Sequence, residues 1–257
     1  MSVGKKIVVI GGTGLIGSKV VTKLTELGHQ AVPASPQSGV DTLTGAGLAE
    51  AFAGAQVVVD VSNSPSFADD DVMAFFTTAT TNLLAAERAA GVSHHVALSV
   101  VGADGVPDSG YMRAKAAQEQ LIGESGAPYT IVRATQFYEF VTRIADSATD
   151  GDVVRLPHAL MQPMAAEDVA TAVTHAAVGE PVNGGTDIAG PEQIAMDDFI
   201  RTGLAAHGDP RVVVTDPQAP YFGAVIDDHS IVPRGNATTY GTRFADWLAA
   251  NVPSVAR

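Results

Sequence analysis

Cysteine is absent from this 257-residue chain, which excludes disulfides and thiolate metal sites without fixing a redox compartment. Basic residues are scarce: 15 Lys and Arg against 28 Asp and Glu leave a formal net charge of −13. A chain so acidic gains no counterion-release energy on a phosphate backbone, which argues against DNA or RNA as a direct partner. Long apolar runs are missing as well. Ile7–Ile10, the first apolar segment, is far too short for a signal h-region or a membrane span, and no later run is longer than a buried strand. No membrane association is expected, and the chain reads as cytoplasmic. His94, His95, His158, His175, His207 and His229 show neither His-x₃-His nor His-Glu-x-x-His spacing, so no metal site is expected.

What is present is ordinary for a globular protein: 46% of the residues are hydrophobic and 17% charged, enough for one large α/β domain with a full core. The first half alternates short β-branched runs with amphipathic stretches, the pattern of βαβ units. Strands are expected at Ile7–Ile10, Gln30–Val32, Gln56–Val61, His95–Ser99 and Tyr129–Arg133. Helices are expected at Lys19–Leu27, Leu48–Phe52, Asp69–Ala90 and Ser109–Ser125, with Gly28, Gly54 and Gly91 as stops for the first three. Asp69-Asp70-Asp71 reads as an acidic first turn complementing a helix dipole. Past residue 137 the alternation loosens. Helical patterns recur at Phe137–Ala148, Glu167–Ala177, Met196–Ala206 and Thr242–Ala250, separated by loops such as Gly151–Pro163, Asn183–Gly185 and Pro217–Pro233.

Between the first strand and the first helix lies Gly11-Gly12-Thr13-Gly14-Leu15-Ile16-Gly17. A pyrophosphate needs backbone N–H groups close by and the positive end of a helix behind them. Glycines permit the tight turn and the close approach, and the strand–turn–helix context is the one a dinucleotide fingerprint requires. The chain therefore reads as a nicotinamide-dinucleotide-binding Rossmann fold: a doubly wound parallel sheet with a small C-terminal substrate lobe. One domain is expected over residues 1–257, with a body over about 1–137 plus returning segments and a lobe built from parts of 138–257.

The spacing Gly-Gly-x-Gly-x-x-Gly resembles the fingerprint of the short-chain dehydrogenase/reductase superfamily in its extended and atypical branches. Gly45–Val61 is similar to that family's third helix and fourth strand, and Thr81–Val92 to the helix before its active-site strand. Val96–Gly102, Tyr111-Met112-Arg113-Ala114-Lys115 and Tyr129–Phe137 follow in the family's order, and Gln162–Ala170 resembles a loop and helix of its NmrA-like, NAD(P)H-binding members. The likeness is weakest from about Asp209 onward.

Tyr111 and Lys115, four apart on an expected helix, project from one face. The resemblance implies that Tyr111 donates a proton to a carbonyl oxygen, and that Lys115 lowers the phenol pKa and holds the nicotinamide ribose. The same spacing also arises on solvated helix faces. Ser99 is the candidate third member at the strand end, although strict alignment places Val100 there, and a serine so placed also serves strand-end backbone groups. Ser62 and Asn63 are expected beside the cofactor, and Ala134 and Thr135 beside the nicotinamide. The end of the second strand carries neither the acid of an NAD-selective site nor an arginine. Ser35 and Ser38 there favour the 2′-phosphate of NADP, and Asp41-Thr42 is expected to border the adenine.

Phe137, Tyr138 and Phe140 read as core or as a substrate wall, and Trp247 as core or interface. The expected activity is NAD(P)H-dependent reduction of a small hydrophobic ketone, enone or quinone, with assembly as a homo-oligomer left open. Its rivals are an NmrA-like redox sensor without turnover and a sugar-nucleotide epimerase or dehydratase.

Overall fold

The structure, a computed structural model, describes residues 4–252; residues 1–3 and 253–257, at the ends of the expected domain, lie outside the described residues. The chain divides into two compact units. The first holds the chain up to Ser99 together with Gly110–Arg133 and Val169–Thr186; the second holds Val100–Ser109, Ala134–Asp168 and the chain from Asp187 onward.

Lys6–Ile10 (β1) is a Val/Ile run buried at its last four positions, which is what a parallel strand covered by helices on both faces requires. It pairs in parallel with Gln30–Ala34 (β2) on one side and with Val57–Asp60 (β3) on the other. His94–Val100 (β4) pairs in parallel with β3. Tyr129–Ala134 (β5), Gly184–Ala189 (β9) and Thr238–Thr239 (β12) complete a seven-stranded parallel sheet in the order β12-β9-β5-β4-β3-β1-β2. Strand order reverses between β1 and β3, and in open α/β sheets ligands bind beyond the carboxyl ends of the strands at such a point. The glycine turn leaves β1 there.

Leu15–Glu26 (α1), Leu48–Phe52 (α2), Asp69–Ala90 (α3) and Gly110–Glu124 (α4) are the helices of the first unit's opening stretches. Val8, Ile10, Val58, Phe52 and Leu83 form one buried cluster that ties β1 and β3 to α2 and α3. Each such side chain contributes about 1.5–3 kcal/mol on burial. Asp69, Asp70 and Asp71 fill the first turn of α3 as expected. Asp69 pairs with Arg113 at 2.7 Å and Asp71 accepts from the Ser66 hydroxyl at 2.8 Å. Gly45–Val61, likened to a third helix and fourth strand, forms the second helix and third strand of this chain.

The expected helix at Phe137–Ala148 is instead a 3₁₀ turn at Tyr138–Phe140 followed by Val141–Ser147 (α5). The stretch expected to be loop at Gly151–Pro163 contains Val153–Leu156 (β7) and Leu160–Met161 (β8). Thr149–Asp150 (β6), β7 and Val212–Thr215 (β11) make a three-stranded sheet, and β8 pairs with Ile194–Ala195 (β10). Ala166–Val178 (α6), Met196–Ala206 (α7) and Phe244–Asn251 (α8) fall where the helical patterns place them. Tyr138 is core: its ring lies 5.0 Å from Phe244 and 5.8 Å from Trp247, and its hydroxyl donates to Thr242 O at 2.9 Å. No helix among the described residues is long and apolar enough to cross a membrane.

Candidate active site

The glycine turn is built by close backbone approach. A Cβ on Gly17 would lie 2.1 Å from Gly11 O, and one on Gly12 would lie 2.7 Å from both Val9 O and Pro33 Cα. Only glycine fits either place. The first hydrogen bond of α1 runs from Ser18 N–H to Gly14 O at 3.0 Å. The N–H groups of Leu15, Ile16 and Gly17 come before it, at the positive end of the helix dipole. Gly11 also brings in the segment after β3, since its Cβ would lie 3.0 Å from Ser62 Cα. These features fit a dinucleotide pyrophosphate, with Gly11–Gly17 as its cradle and Ser62 and Asn63 alongside.

Gly14 separates ligand binding from folding. A Cβ there would meet only Gly11 O, at 3.3 Å, so the turn can take a side chain with a small shift. We expect Gly14→Val to lose dinucleotide affinity by calorimetry while keeping a melting temperature near that of wild type. Gly17→Ala should instead melt several degrees lower. Unchanged NADPH affinity in Gly14→Val would remove the pyrophosphate from this turn.

At the end of β2 the two serines differ. The Ser38 hydroxyl is spent locally, accepting from Ser35 N–H and donating to Ser35 O, both at 2.9 Å. The Ser35 Oγ is buried and faces the Ser38 N–H in a reciprocal capping box, without a full hydrogen bond among the described residues. Ser38 thus shapes the turn that holds Ser35. Asp41 Oδ1 accepts from Leu43 N–H at 2.8 Å and Thr44 N–H at 3.3 Å, which keeps its carboxyl below the usual range. Asn82 of α3 donates to Thr42 O and Leu43 O at 2.8 and 3.0 Å, fixing the expected adenine-side loop.

The helix α4 carries Tyr111 and Lys115, and Phe76 of α3 brings them together. The Tyr111 ring lies 6.2 Å from the Phe76 ring at 73°, and Lys115 Nζ lies 4.3 Å from the centroid of that same ring. Phe67 covers Tyr111 from another side at 5.6 Å. Burial among these rings pushes the phenol up to about 12. The lowering expected from Lys115 is therefore not found: desolvation dominates at the phenol, and the ammonium is engaged elsewhere. Lys115 is 2% exposed and donates to Leu98 O at 2.9 Å and to Gln118 Oε1. Burial lowers its pKa to about 8, opposed by the charges of Asp60 and Glu119.

Ser99, next to Leu98 on β4, is buried with an Oγ that has no partner among the described residues. It does not cap the strand end. In the second unit, Thr135 Oγ1 donates to Gln162 O at 2.6 Å, and Ala134 O accepts from Val101 N–H at 3.0 Å. These bonds fix the backbone after β5 and leave the Thr135 hydroxyl spent. Gln136, beside them, is buried with both carboxamide atoms unpartnered among the described residues.

Asp60 and Gln118 were not read from the sequence as site residues. A lone acid ending an all-valine strand, and a glutamine three positions after Lys115, were the available signals. His158, Asp197 and Asp198 also converge in the second unit. His158 Nδ1 and the Thr215 hydroxyl already occupy the two oxygens of Asp197, at 2.8 and 2.5 Å, and Arg201 pairs with Asp198. Those carboxylates are engaged within the protein.

A family described as NAD(P)H-binding matches residues 11–178, from the first glycine of the turn to the end of α6. The chain belongs to this NAD(P)H-binding family, among the atypical short-chain dehydrogenases/reductases. It is 30% identical to a (4-alkanoyl-5-oxo-2,5-dihydrofuran-3-yl)methyl phosphate reductase of Streptomyces griseus, over 73% of this chain and 69% of that protein. Among solved structures, a Thermus thermophilus UDP-glucose 4-epimerase complex with NAD superimposes with a TM-score of 0.68 at 18% identity, covering 98% of this chain and 94% of that one. A NAD-dependent NDP-hexosamine 5,6-dehydratase involved in tunicamycin biosynthesis gives 0.69 at 15% identity, covering 96% of each chain. At such identities the likeness is one of fold. This member of the family is thus an NAD(P)H-binding protein of the oxidoreductase type with a Rossmann-like sheet.

Proposed function

We propose that this protein reduces a small hydrophobic carbonyl compound, a ketone, enone or quinone, with Tyr111 as proton donor and Lys115 assisting. The observation that carries this reading is the packing of the phenol and the ammonium against one ring, Phe76. With its pKa pushed up to about 12, the Tyr111 phenol keeps its proton at neutral pH. A group in that state serves as an acid, which suits reduction of a carbonyl rather than oxidation of an alcohol.

A dinucleotide held by Gly11–Gly17 would supply hydride for the carbonyl carbon, or for the β-carbon of an enone. The Tyr111 O–H bond breaks as its proton passes to the substrate oxygen, giving an alcohol or enol, and water returns a proton to the phenolate. For a ketone, the alkoxide formed is a stronger base than a phenolate, so the transfer runs downhill despite the raised phenol. Lys115, packed on the same ring as the phenol, would hold the nicotinamide ribose. The unspent Ser99 hydroxyl is suited to a second hydrogen bond on the substrate oxygen. The Streptomyces griseus relative is a reductase whose named substrate is an unsaturated lactone bearing an alkanoyl group and a methyl phosphate ester. That substrate class supports the enone alternative in particular.

Incubation of purified protein with NADPH and cyclohexenone, menadione or acetophenone, following loss of reduced-nicotinamide absorbance, tests the reading. Turnover of none of these by wild type, with NADPH bound, would favour a sensor.

NADPH is the proposed cofactor, with Ser35 reading the 2′-phosphate. A hydrogen bond to a charged group contributes about 1.5–3 kcal/mol, so Ser35→Ala should lower NADPH affinity about 10- to 100-fold and leave NADH affinity nearly unchanged. An NADPH-to-NADH affinity ratio that survives this substitution would show that the hydroxyl does not read the phosphate.

A further inference from the structure

Lys115 is held by a chain of side chains that begins at the sheet. Asp60, 2% exposed at the end of β3, accepts from Ser62 N–H at 2.9 Å and from the Ser62 hydroxyl at 2.6 Å, both through Oδ1. Its Oδ2 accepts from Gln118 Nε2 at 3.0 Å. Gln118, 1% exposed, turns its other end to Lys115 Nζ. The carboxamide has only one workable orientation here. An ammonium can only donate and a carboxylate can only accept, so Oε1 must face Lys115 and Nε2 must face Asp60.

The carboxylate and the ammonium are thus linked through one neutral bridge that polarises in the direction that stabilises both. We propose that Asp60, acting through the Gln118 carboxamide, is the positioning residue that holds the Lys115 ammonium in place for its work beside Tyr111. This rests on the reading of Lys115 as the assisting cation given above. Two of the three ammonium N–H groups are spent, on Leu98 O and on Gln118, which fixes the direction of the third. The same Asp60 anchors Ser62 after β3, so a single carboxylate orders both Lys115 and the segment expected beside the cofactor.

Each group bearing on the charge of Lys115 can be named by its element. Asp60 comes from β3, Phe76 from α3 and Leu98 O from β4; Glu119 comes from α4 and is paired through both oxygens with Arg133 of β5, at 3.0 and 2.9 Å from its Nε. His95 of β4, paired with Glu87 at 2.8 Å, lies in the field of Asp60 rather than on the ammonium. Removing Asp60 leaves the ammonium buried with Glu119 as the remaining acid that favours its charge, and that acid is already paired with Arg133.

The test is the titration of Lys115 in the cofactor-free protein, by ¹⁵N-lysine NMR with the signal assigned by its loss in Lys115→Met. Asp60→Asn should lower the midpoint by about one pH unit, because a nearby carboxylate favours the charged lysine. Gln118→Leu, which leaves the Asp60–Ser62 bonds intact, should lower it too and broaden the distribution of ammonium environments. Asp60→Asn combined with Gln118→Glu moves the carboxylate one side chain along, where the new asparagine amide can donate to it, and should restore the midpoint to the wild-type value or above. A midpoint unmoved in both folded single variants, or not restored in the double variant, would overturn the relay. Neither result depends on turnover, so the relay can fail while the reductase reading stands. Conversely, a protein without reductase activity would leave the NMR titration readable. If both hold, the alkaline limb of cyclohexenone reduction moves with the NMR midpoint.

Discussion

Tyr111→Phe is expected to lower kcat for cyclohexenone or menadione about 10²–10⁴-fold while leaving NADPH affinity within a factor of a few. The substitution removes one oxygen and keeps the ring that packs on Phe67 and Phe76, so stability and the position of α4 should hold. What disappears is the only proton on this ring that can reach a substrate oxygen. Because the phenol stays protonated up to about 12, turnover in wild type should not fall through loss of this acid anywhere near neutrality. An alkaline limb near pH 8 would belong to Lys115 instead. Wild-type turnover that Tyr111→Phe leaves intact would remove Tyr111 from the mechanism.

Lys115→Met should cost both binding and rate, with KM for NADPH raised and kcat reduced about 10²-fold. Combined with Tyr111→Phe it should lose less than the product of the separate effects, because the two residues act as one unit. A fully multiplicative double variant would show that the ammonium does not act on the phenol. Stability should respond in the opposite sense. Burial lowers the lysine from 10.5 to about 8, so between those values the unfolded chain binds the proton and the folded one does not. Stability relative to Lys115→Met should therefore rise as pH increases from about 8 to about 10.5, by on the order of 3 kcal/mol. Urea titrations of the two proteins at several pH values would read this directly. A flat difference would mean that the lysine is not desolvated.

The parts of the molecule that could be read from the chain are those set by local pattern. Leu48–Phe52 and Asp69–Ala90 form helices over the residues that their apolar spacing and glycine stops mark, and Met196–Ala206 over those that its apolar spacing marks. The unread elements are mostly strands too short for a period to register, such as Thr149–Asp150, Leu160–Met161 and Thr238–Thr239. Gly184–Ala189 begins with two glycines and reads as a turn, yet it is a strand because Asn183 N–H reaches Tyr129 O at 2.8 Å. The site divides in the same way. The glycine turn and the Tyr111–Lys115 spacing lie within single stretches of chain. Asp60 and Gln118 are 58 positions apart, and only folding shows that one holds the other. The Ser38 hydroxyl is likewise lost to a local turn that composition alone does not reveal.

The division of the chain has a consequence during synthesis. The first unit is complete only when Val169–Thr186 has been made, yet Ala134–Asp168, which belongs to the second unit, must be made before it. At the usual rate of about 5–20 residues per second, a ribosome exposes an unfinished sheet edge at β5 for several seconds before β9 follows. In that interval a row of unpaired N–H and C=O groups on β5 is open to any other strand. The nascent protein is therefore most exposed to aggregation midway through translation, and a codon pause placed between residues 134 and 186 would lengthen that exposure.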